Sequence, residues 1–218
     1  MVLRGLQTLL GRLYDVDLPY DVYDFLITDR RSVGAAANDG RALDEVLLLA
    51  ETTDGAGAGV ALYLDPELLS RLEAADPRDS LTEHNLADYC TALEGVSHFV
   101  YSTWGLQRDL PVSLLELETQ AEVDKYVVTV FLLAAQQQGQ YYPAQVHARL
   151  FDRVSFDARL EPDQYERYRT AHALAARYCR RLERRFVNRG TPKIEAMIRE
   201  LRGFFRLRHA AKLRHALA

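Results

Sequence analysis

The chain has 218 residues, of which 48% are apolar and 27% are charged. These fractions are those of an ordinary globular protein and exclude a largely disordered chain. The longest apolar run, residues 127–135, is shorter than the roughly 20 residues that a membrane-spanning helix needs, so no membrane partner is expected. Two cysteines and no secretory signal segment predict a cytoplasmic protein with reduced thiols and no disulfide framework.

Basic residues are concentrated in the last fifth of the chain. Residues 177–218 contain 13 Lys and Arg but three Asp and Glu, which gives this stretch a net charge of +10. The remaining 176 residues contain 14 basic and 28 acidic side chains, a net charge of −14. This asymmetry indicates either a basic surface for a polyanion or a basic segment that pairs with the chain's own acidic part.

Prolines and capping patterns predict eight helices. Proline is favoured in the first helical turn, and capping-box spacing occurs at Ser80–Glu83 and again at Ser113–Glu116. The predicted helices span residues 2–14, 19–29, 66–74, 81–102, 114–137, 143–152, 162–188 and 192–215.

One region has the pattern of a β-hairpin. Two short apolar runs, 45–51 and 60–64, flank a glycine-rich segment. A phosphate-binding loop would need its glycines to lead into a helix N-terminus, whereas Gly55, Gly57 and Gly59 lead into a strand pattern. We therefore predict a hairpin whose tip lies within residues 52–59.

These elements predict a mainly α fold (α+β), with seven or eight helices and one small N-terminal β-hairpin. The apolar content and length suit one hydrophobic core, so a single domain over residues 1–218 is expected. Within it, residues 1–79 would form helices and the hairpin elaboration. Residues 80–218 would form the helical core with its basic C-terminal helices.

A polar stripe interrupts the apolar helix predicted to begin at Leu114. Its members are Glu118, Glu122 and Lys125, and the preceding helix carries Glu94 and His98 four residues apart. If the two helices pack as an antiparallel hairpin, the carboxylates and the imidazole would meet. Clustered carboxylates bind a cation or hold a proton at a raised pKa.

This stripe supports one functional hypothesis, a metal-dependent or acid/base enzyme that uses the Glu/His cluster. A divalent metal is the one cofactor that the sequence suggests. The alternatives are a Glu122–Lys125 pair inside a buried polar network and a stripe that faces solvent.

Two successive helices each carry a face of arginines. Steps of three and four residues place these side chains together and turn them away from the apolar residues of the same helices. The arginines are Arg177, Arg180, Arg181, Arg184 and Arg185 on the first helix and Arg199, Arg202 and Arg206 on the second.

The arginine faces support the leading hypothesis. It is a non-enzymatic binding or assembly subunit, part of a larger assembly, whose basic C-terminal helices contact nucleic acid or an acidic protein surface. Pairing of the arginines with the acidic part of the same chain is the competing interpretation.

Two further patterns suggest other chemistry. An acidic cluster interleaved with tyrosines could bind a divalent ion through oxygen ligands, and Arg/His pairs at helical spacing suggest a helical ribonuclease. The cluster is Asp15, Asp17, Asp21 and Asp24, and the pairs are Arg167/His172, Arg202/His209 and Arg208/His215. The sequence contains no nucleophile elbow, Walker loop or paired Cys-x-x-Cys motif.

Overall fold

The computed structural model describes residues 1–37, 44–51, 58–137, 145–152, 154–156, 159–187 and 193–218. Within these residues it contains eight α-helices and three short strands, which confirms the predicted mainly α fold. The helices are α1 (Val2–Tyr14), α2 (Pro66–Ala74), α3 (Leu86–Leu106), α4 (Leu114–Gln136), α5 (Val146–Phe151), α6 (Pro162–Leu182), α7 (Ile194–Arg206) and α8 (His209–Leu217). The strands are β1 (Leu26–Ile27), β2 (Glu45–Glu51) and β3 (Ala58–Leu64). In the described part of the chain, no helix combines the length and the apolar character needed to cross a bilayer.

The chain divides into two compact units. Unit 1 comprises residues 1–11 and 17–110, and unit 2 comprises residues 12–16 and 111–218. Unit 1 has 7 Lys and Arg against 18 Asp and Glu, a net charge of −11, whereas unit 2 has 20 against 13, a net charge of +7. The charge asymmetry of the sequence therefore follows the division into units. That division comes after Leu110, not after residue 79, and the expectation of a single domain stays a prediction.

The sheet of unit 1 contains the predicted hairpin. β2 and β3 are antiparallel, with Glu45 opposite Leu64 and Glu51 opposite Ala58. Most of the predicted tip, residues 52–57, lies outside the described residues. Helix α3 packs on both strands, and the core of this unit forms between the helix and the sheet.

The helix predicted at 19–29 is wrong. The Asp21 side chain accepts a hydrogen bond from the Tyr23 amide at 3.0 Å, which closes a short 3-10 turn over Val22–Phe25. The chain then extends into β1, which pairs in parallel with β3 through Leu26 opposite Leu62. A side chain that bonds its own backbone two residues on offers the chain an alternative to the α-helix.

The two predicted capping boxes have different outcomes. Ser113 and Glu116 form the box that starts α4, with each side chain bound to the amide of the other residue. The box at Ser80 does not form, and α3 begins at Leu86. Asn85 explains this difference, because its side chain accepts from the Thr82 amide at 2.8 Å and donates to the Ser80 carbonyl at 2.9 Å.

Unit 2 is a helical assembly in which α6 packs along α4 and also against α5 and α8. Helix α6 passes into a π-helical turn over Glu183–Val187. The single helix predicted at 192–215 is wrong, because the chain is extended at Leu207 and Arg208 before α8 starts. His209 opens α8 with a φ of 43°, a left-handed conformation that breaks the helical path.

Candidate functional site

A cavity of about 590 Å³ lies beside the end of α6 in unit 2. Five of its six lining residues are arginines. Its lining residues are Arg177, Arg180, Arg181, Arg184, Arg185 and Ala218. The five arginines are the set that the sequence places on one helical face, so the structure brings them together around a common space.

The position of these arginines follows from what α6 buries. Leu174, Tyr178 and Leu182 are buried, and this fixes the apolar face of the helix inside the unit. The following π-helical turn buries Phe186 while Arg184 stays exposed. A π-helical turn is wider than an α-helical one, and such turns are frequent at functional sites.

Arg181 joins the cavity to the end of α8. Its guanidinium donates to the main-chain carbonyls of His215 at 2.6 Å and Ala216 at 3.5 Å. The last carbonyls of a helix have no partner inside the helix, so Arg181 supplies donors that α8 lacks. The same guanidinium lies over the Tyr178 ring, 5.0 Å from its centroid. Arg181 is therefore held in one position before any ligand arrives.

Arg180 and Arg185 each face a carboxylate. Arg180 lies 3.3 Å from Glu183 and 3.9 Å from Asp152, and Arg185 lies 4.0 Å from Glu200. The Arg185 side chain remains 64% exposed, and half-exposed ion pairs of this kind are weak. These contacts orient the guanidinium groups and leave N–H donors for a ligand.

Arg177 and Arg184 are exposed and make no hydrogen bond or ion pair with any residue that the structure describes. They lie seven residues apart, roughly 10 Å along the helix axis. Five guanidinium groups line the cavity, and the carboxylates within 4.0 Å of them in the described chain are Asp152, Glu183 and Glu200. The guanidinium groups of the lining therefore outnumber the carboxylates within 4.0 Å of them by two.

The arginines of α7 have a different role. Arg202 donates to the carbonyls of residues 12 and 13, both at 3.0 Å, and Arg206 donates to the carbonyl of Asp15 at 3.2 Å. These carbonyls lie in the last turn of α1 or directly after it, where helical partners are lacking. Arg202 and Arg206 are therefore bound within the chain itself, as in the competing interpretation of the sequence, although their hydrogen-bond partners here are main-chain carbonyls. Arg199 is exposed.

The polar stripe of α4 finds its partners on α6. Glu118 is buried, Glu122 and Lys125 are half-buried, and the last two form an ion pair. His172 Nδ1 lies 3.1 Å from the Glu122 carboxylate, and Arg167 Nε lies 3.6 Å from Glu118. Within unit 2 the stripe is thus a buried polar network that includes the Glu122–Lys125 pair.

The electrostatics of this network favour the charged forms of Glu122 and His172. Burial raises the pKa of Glu122, but the Lys125 charge and the His172 hydrogen bond lower it to about 2. Burial lowers the pKa of His172, but the hydrogen bond and charge of Glu122 raise it, and the net pKa lies above the ordinary value. The ionised Glu122 carboxylate, bound by Lys125 of its own helix and by His172 of α6, holds α4 and α6 together.

The Arg/His pairs that suggested a ribonuclease are distributed among different partners. Arg167 and His172 face two different carboxylates of α4. The remaining histidines are also bound by carboxylates, His209 by Glu116 at 2.9 Å and His215 by Glu200 at 2.6 Å. The ribonuclease hypothesis stays a prediction.

Glu94 and His98 belong to unit 1. His98 Nδ1 lies 3.4 Å from the Glu45 carboxylate on β2. The stripe of Glu118 and Glu122 belongs to unit 2. The predicted Glu/His cluster, with its metal and its acid/base chemistry, stays a prediction.

The aspartates proposed as an ion site are divided in the same way. Asp15 belongs to unit 2, and Asp17, Asp21 and Asp24 belong to unit 1. Asp21 caps a 3-10 turn and pairs with Arg4, whereas Asp15 lies 3.9 Å from an α7 arginine. Divalent-ion binding by this cluster stays a prediction.

A buried network that the sequence analysis missed fixes α8 on α4. Lys212 has no exposed surface, and its Nζ donates to Gln120 at 2.6 Å and to the Phe205 carbonyl at 3.4 Å. Gln120 in turn donates to Asp124 at 2.8 Å and to the Tyr14 hydroxyl at 3.0 Å. Burial lowers the pKa of Lys212 to about 7, although nearby carboxylates act in the opposite direction. The sequence pattern that could have indicated this network is the pair Gln120 and Asp124, two polar residues four positions apart inside an apolar helix.

Comparisons of the chain with protein-family models, curated protein sequences and solved structures found no match. The cavity, its arginines and their partners are therefore the evidence for function. Arginine stays protonated at neutral pH, so its guanidinium group donates hydrogen bonds but serves neither as a general acid or base nor as a nucleophile. The chemistry that the described lining can perform is anion binding.

Replacement of Lys125 by Met should lower the free energy of unfolding by about 1 to 4 kcal/mol, because the Glu122 carboxylate loses its ammonium partner in a half-buried position. Urea denaturation at pH 7 measures this effect. Lys193→Met removes an exposed lysine and should change stability by less than about 0.5 kcal/mol. Equal stabilities of the two variants would mean that the stripe contributes no more than a solvated face.

Replacement of Lys212 by Met should change the pH dependence of stability. Folded Lys212 titrates near pH 7, whereas an unfolded lysine keeps its proton up to about pH 10.4. Between these values the unfolded state binds more protons, so stability rises with pH. The unsubstituted protein should therefore gain up to about 1.4 kcal/mol per pH unit relative to the variant.

Urea denaturation at pH 7, 8 and 9 measures the Lys212 effect. Lys193→Met serves again as the control, since the pH profile of that variant should run parallel to the profile of the unsubstituted protein. A stability difference between the unsubstituted protein and Lys212→Met that stays flat or falls with pH contradicts the burial of a lysine with a lowered pKa.

Proposed function

We propose that the chain is a cytoplasmic, non-enzymatic binding or assembly subunit that contacts nucleic acid through the arginine cavity of unit 2. The observation that carries this proposal is the convergence of five guanidinium groups on one space of about 590 Å³. The two cysteines are free thiols, in keeping with a reducing compartment.

Phosphate is the anion that this lining suits best. The planar guanidinium group presents its N–H donors as a fork that matches two oxygens of a phosphate group. Charge-assisted hydrogen bonds of this type are stronger than those between neutral groups. The donors of Arg177 and Arg184 have no partner among the described residues, so ligand binding need not first break an internal contact.

The density of positive charge favours nucleic acid over an acidic protein surface. Every nucleotide brings a phosphate, so a strand presents negative charges at short, regular intervals. Acidic protein surfaces distribute their carboxylates among other side chains and also need apolar contacts at their centre. The described lining consists of five arginines and Ala218, and it includes no large aliphatic or aromatic residue against which a protein partner could pack.

The internal contacts of the cavity should increase its affinity. Arg181 is held by two carbonyls and an aromatic ring, and Arg180 faces a carboxylate of its own helix. Side chains that are already ordered lose less conformational entropy when a ligand binds. The cavity therefore combines positioned arginines with the two exposed donors Arg177 and Arg184.

Replacement of Arg177 and Arg184 together by Gln should weaken binding to oligonucleotides of any sequence and flatten its salt dependence. Each lost phosphate contact lowers the slope of log affinity against log salt by about 0.7 for single strands, so the double variant should lose roughly 1.4. Fluorescence anisotropy at several salt concentrations measures both quantities. The unfolding midpoint should stay unchanged, because neither arginine bonds a described residue.

Arg169→Gln is the matched control. Arg169 lies on the same helix but pairs with Glu166 and does not line the cavity. This variant should keep the affinity and the salt slope of the unsubstituted protein. If the double variant binds as tightly as this control, the cavity is not the nucleic-acid site. Tighter binding of polyglutamate than of an oligonucleotide of equal charge would favour the acidic-protein alternative.

A further inference from the structure

We infer that the arginine cavity holds the terminal phosphate of a nucleic-acid strand in preference to a phosphate inside the strand. This inference rests on the proposed function and narrows it to one chemical group, a phosphomonoester at a strand end. The geometry, the charge and the donors of the cavity each support it.

The site has the size of a small-ligand pocket. Its volume of about 590 Å³ lies within the range of roughly 300 to 1,000 Å³ that is usual for pockets that bind one small molecule. One wall comes from α6 and its π-helical turn, and another comes from Ala218, next to α8. Interfaces that follow a duplex instead bury roughly 1,000 Å² or more of protein surface. A space of this volume suits a single phosphate-bearing group better than a long stretch of strand.

The charge of the cavity matches a monoester better than a diester. Its five arginines exceed the three carboxylates within 4.0 Å of them, Asp152, Glu183 and Glu200, by two. A phosphomonoester carries a charge of about −1.5 to −2 at pH 7. A phosphate inside a strand carries a single negative charge and would leave part of the cavity charge without a partner.

The donors of the cavity point the same way. A terminal phosphate presents three oxygens that each accept hydrogen bonds, whereas a phosphate within a strand presents two. Arg177 and Arg184 can each offer a two-pronged pair of donors, and Arg185 keeps an exposed guanidinium beside them. The additional oxygen of a terminal phosphate is one more acceptor for these donors.

The bases have little to contact in the cavity. Tyr178 and Phe186 are buried under the arginines that cover them, and the described lining offers no exposed ring for stacking. Stacking on aromatic side chains is the usual means of holding bases of single strands. The affinity of the cavity for a strand should therefore depend on whether the strand end is phosphorylated and not on the base sequence of the strand.

The test compares three forms of one oligothymidine of 12 nucleotides. They are the linear strand with a 5′-phosphate, the linear strand with a 5′-hydroxyl group, and the circular strand. The phosphorylated form should bind about tenfold more tightly than the other two, the effect of one added charge-assisted hydrogen bond. A 3′-phosphorylated strand shows which end the cavity prefers, and tighter binding of either phosphorylated form supports the inference.

The variants localise the effect. Arg177→Gln with Arg184→Gln should remove the preference for the phosphorylated strand, and Arg169→Gln should keep it. Equal affinity for the three forms overturns the strand-end inference and leaves nucleic-acid binding in place. No binding of any form overturns the proposed function itself.

A competition experiment shows whether the cavity prefers a phosphate at a strand end to the phosphate of a free nucleotide. Thymidine 5′-monophosphate carries the same phosphomonoester without the strand, and thymidine carries neither. Displacement of the phosphorylated strand should need at least about tenfold more mononucleotide than unlabelled strand, because the strand adds phosphate contacts with the basic surface of unit 2. Equal potency of the mononucleotide would mean that the ligand is a free phosphomonoester and would overturn the strand-end inference.

Discussion

The burial of one lysine amino group determines where α8 lies in unit 2. Lys212 of α8 has no exposed surface and is hydrogen-bonded to Gln120 of α4, which also binds Asp124 and Tyr14. Removing an ammonium ion from water costs several kcal/mol unless partners are provided. Helix α8 must therefore lie where these partners are. Its last carbonyls then meet Arg181, and this contact sets one wall of the arginine cavity.

The same residue type has two roles in this unit, and the difference lies in the partners. On α7, Arg202 and Arg206 donate to carbonyls at the C-terminal end of α1, where the helix leaves acceptors without donors. On α6 and the π-helical turn that follows it, five arginines surround a cavity, and Arg177 and Arg184 keep their donors for a ligand. Positive charge in a sequence therefore does not by itself identify a binding surface. The binding surface is identified here because five arginines converge on one space and the carboxylates nearby are too few to neutralise their charge.

Much of the fold could be predicted because its signals are local. The capping box at Ser113, the start of α2 at a proline and the arginine face of α6 each depend on residues within a few turns of one another. The errors arose where one side chain redirected the backbone, as at Asp21 and Asn85, or where the chain left the helical path at His209. The partners of the arginines and the burial of Lys212 depend on distant residues. No periodicity in the sequence carries that information.

The central claim is that the cavity at the end of α6 binds phosphate. NMR spectra of protein with ¹⁵N-labelled arginine report each guanidinium group, and single Gln variants at Arg169, Arg177, Arg184 and the α7 arginines assign the signals that are compared. Titration with the 5′-phosphorylated oligothymidine should shift the Nε–H signals of these two arginines together and saturably, whereas the Arg169 signal stays in place. A shift of Arg169 or of the α7 arginines, with Arg177 and Arg184 unchanged, would contradict the account.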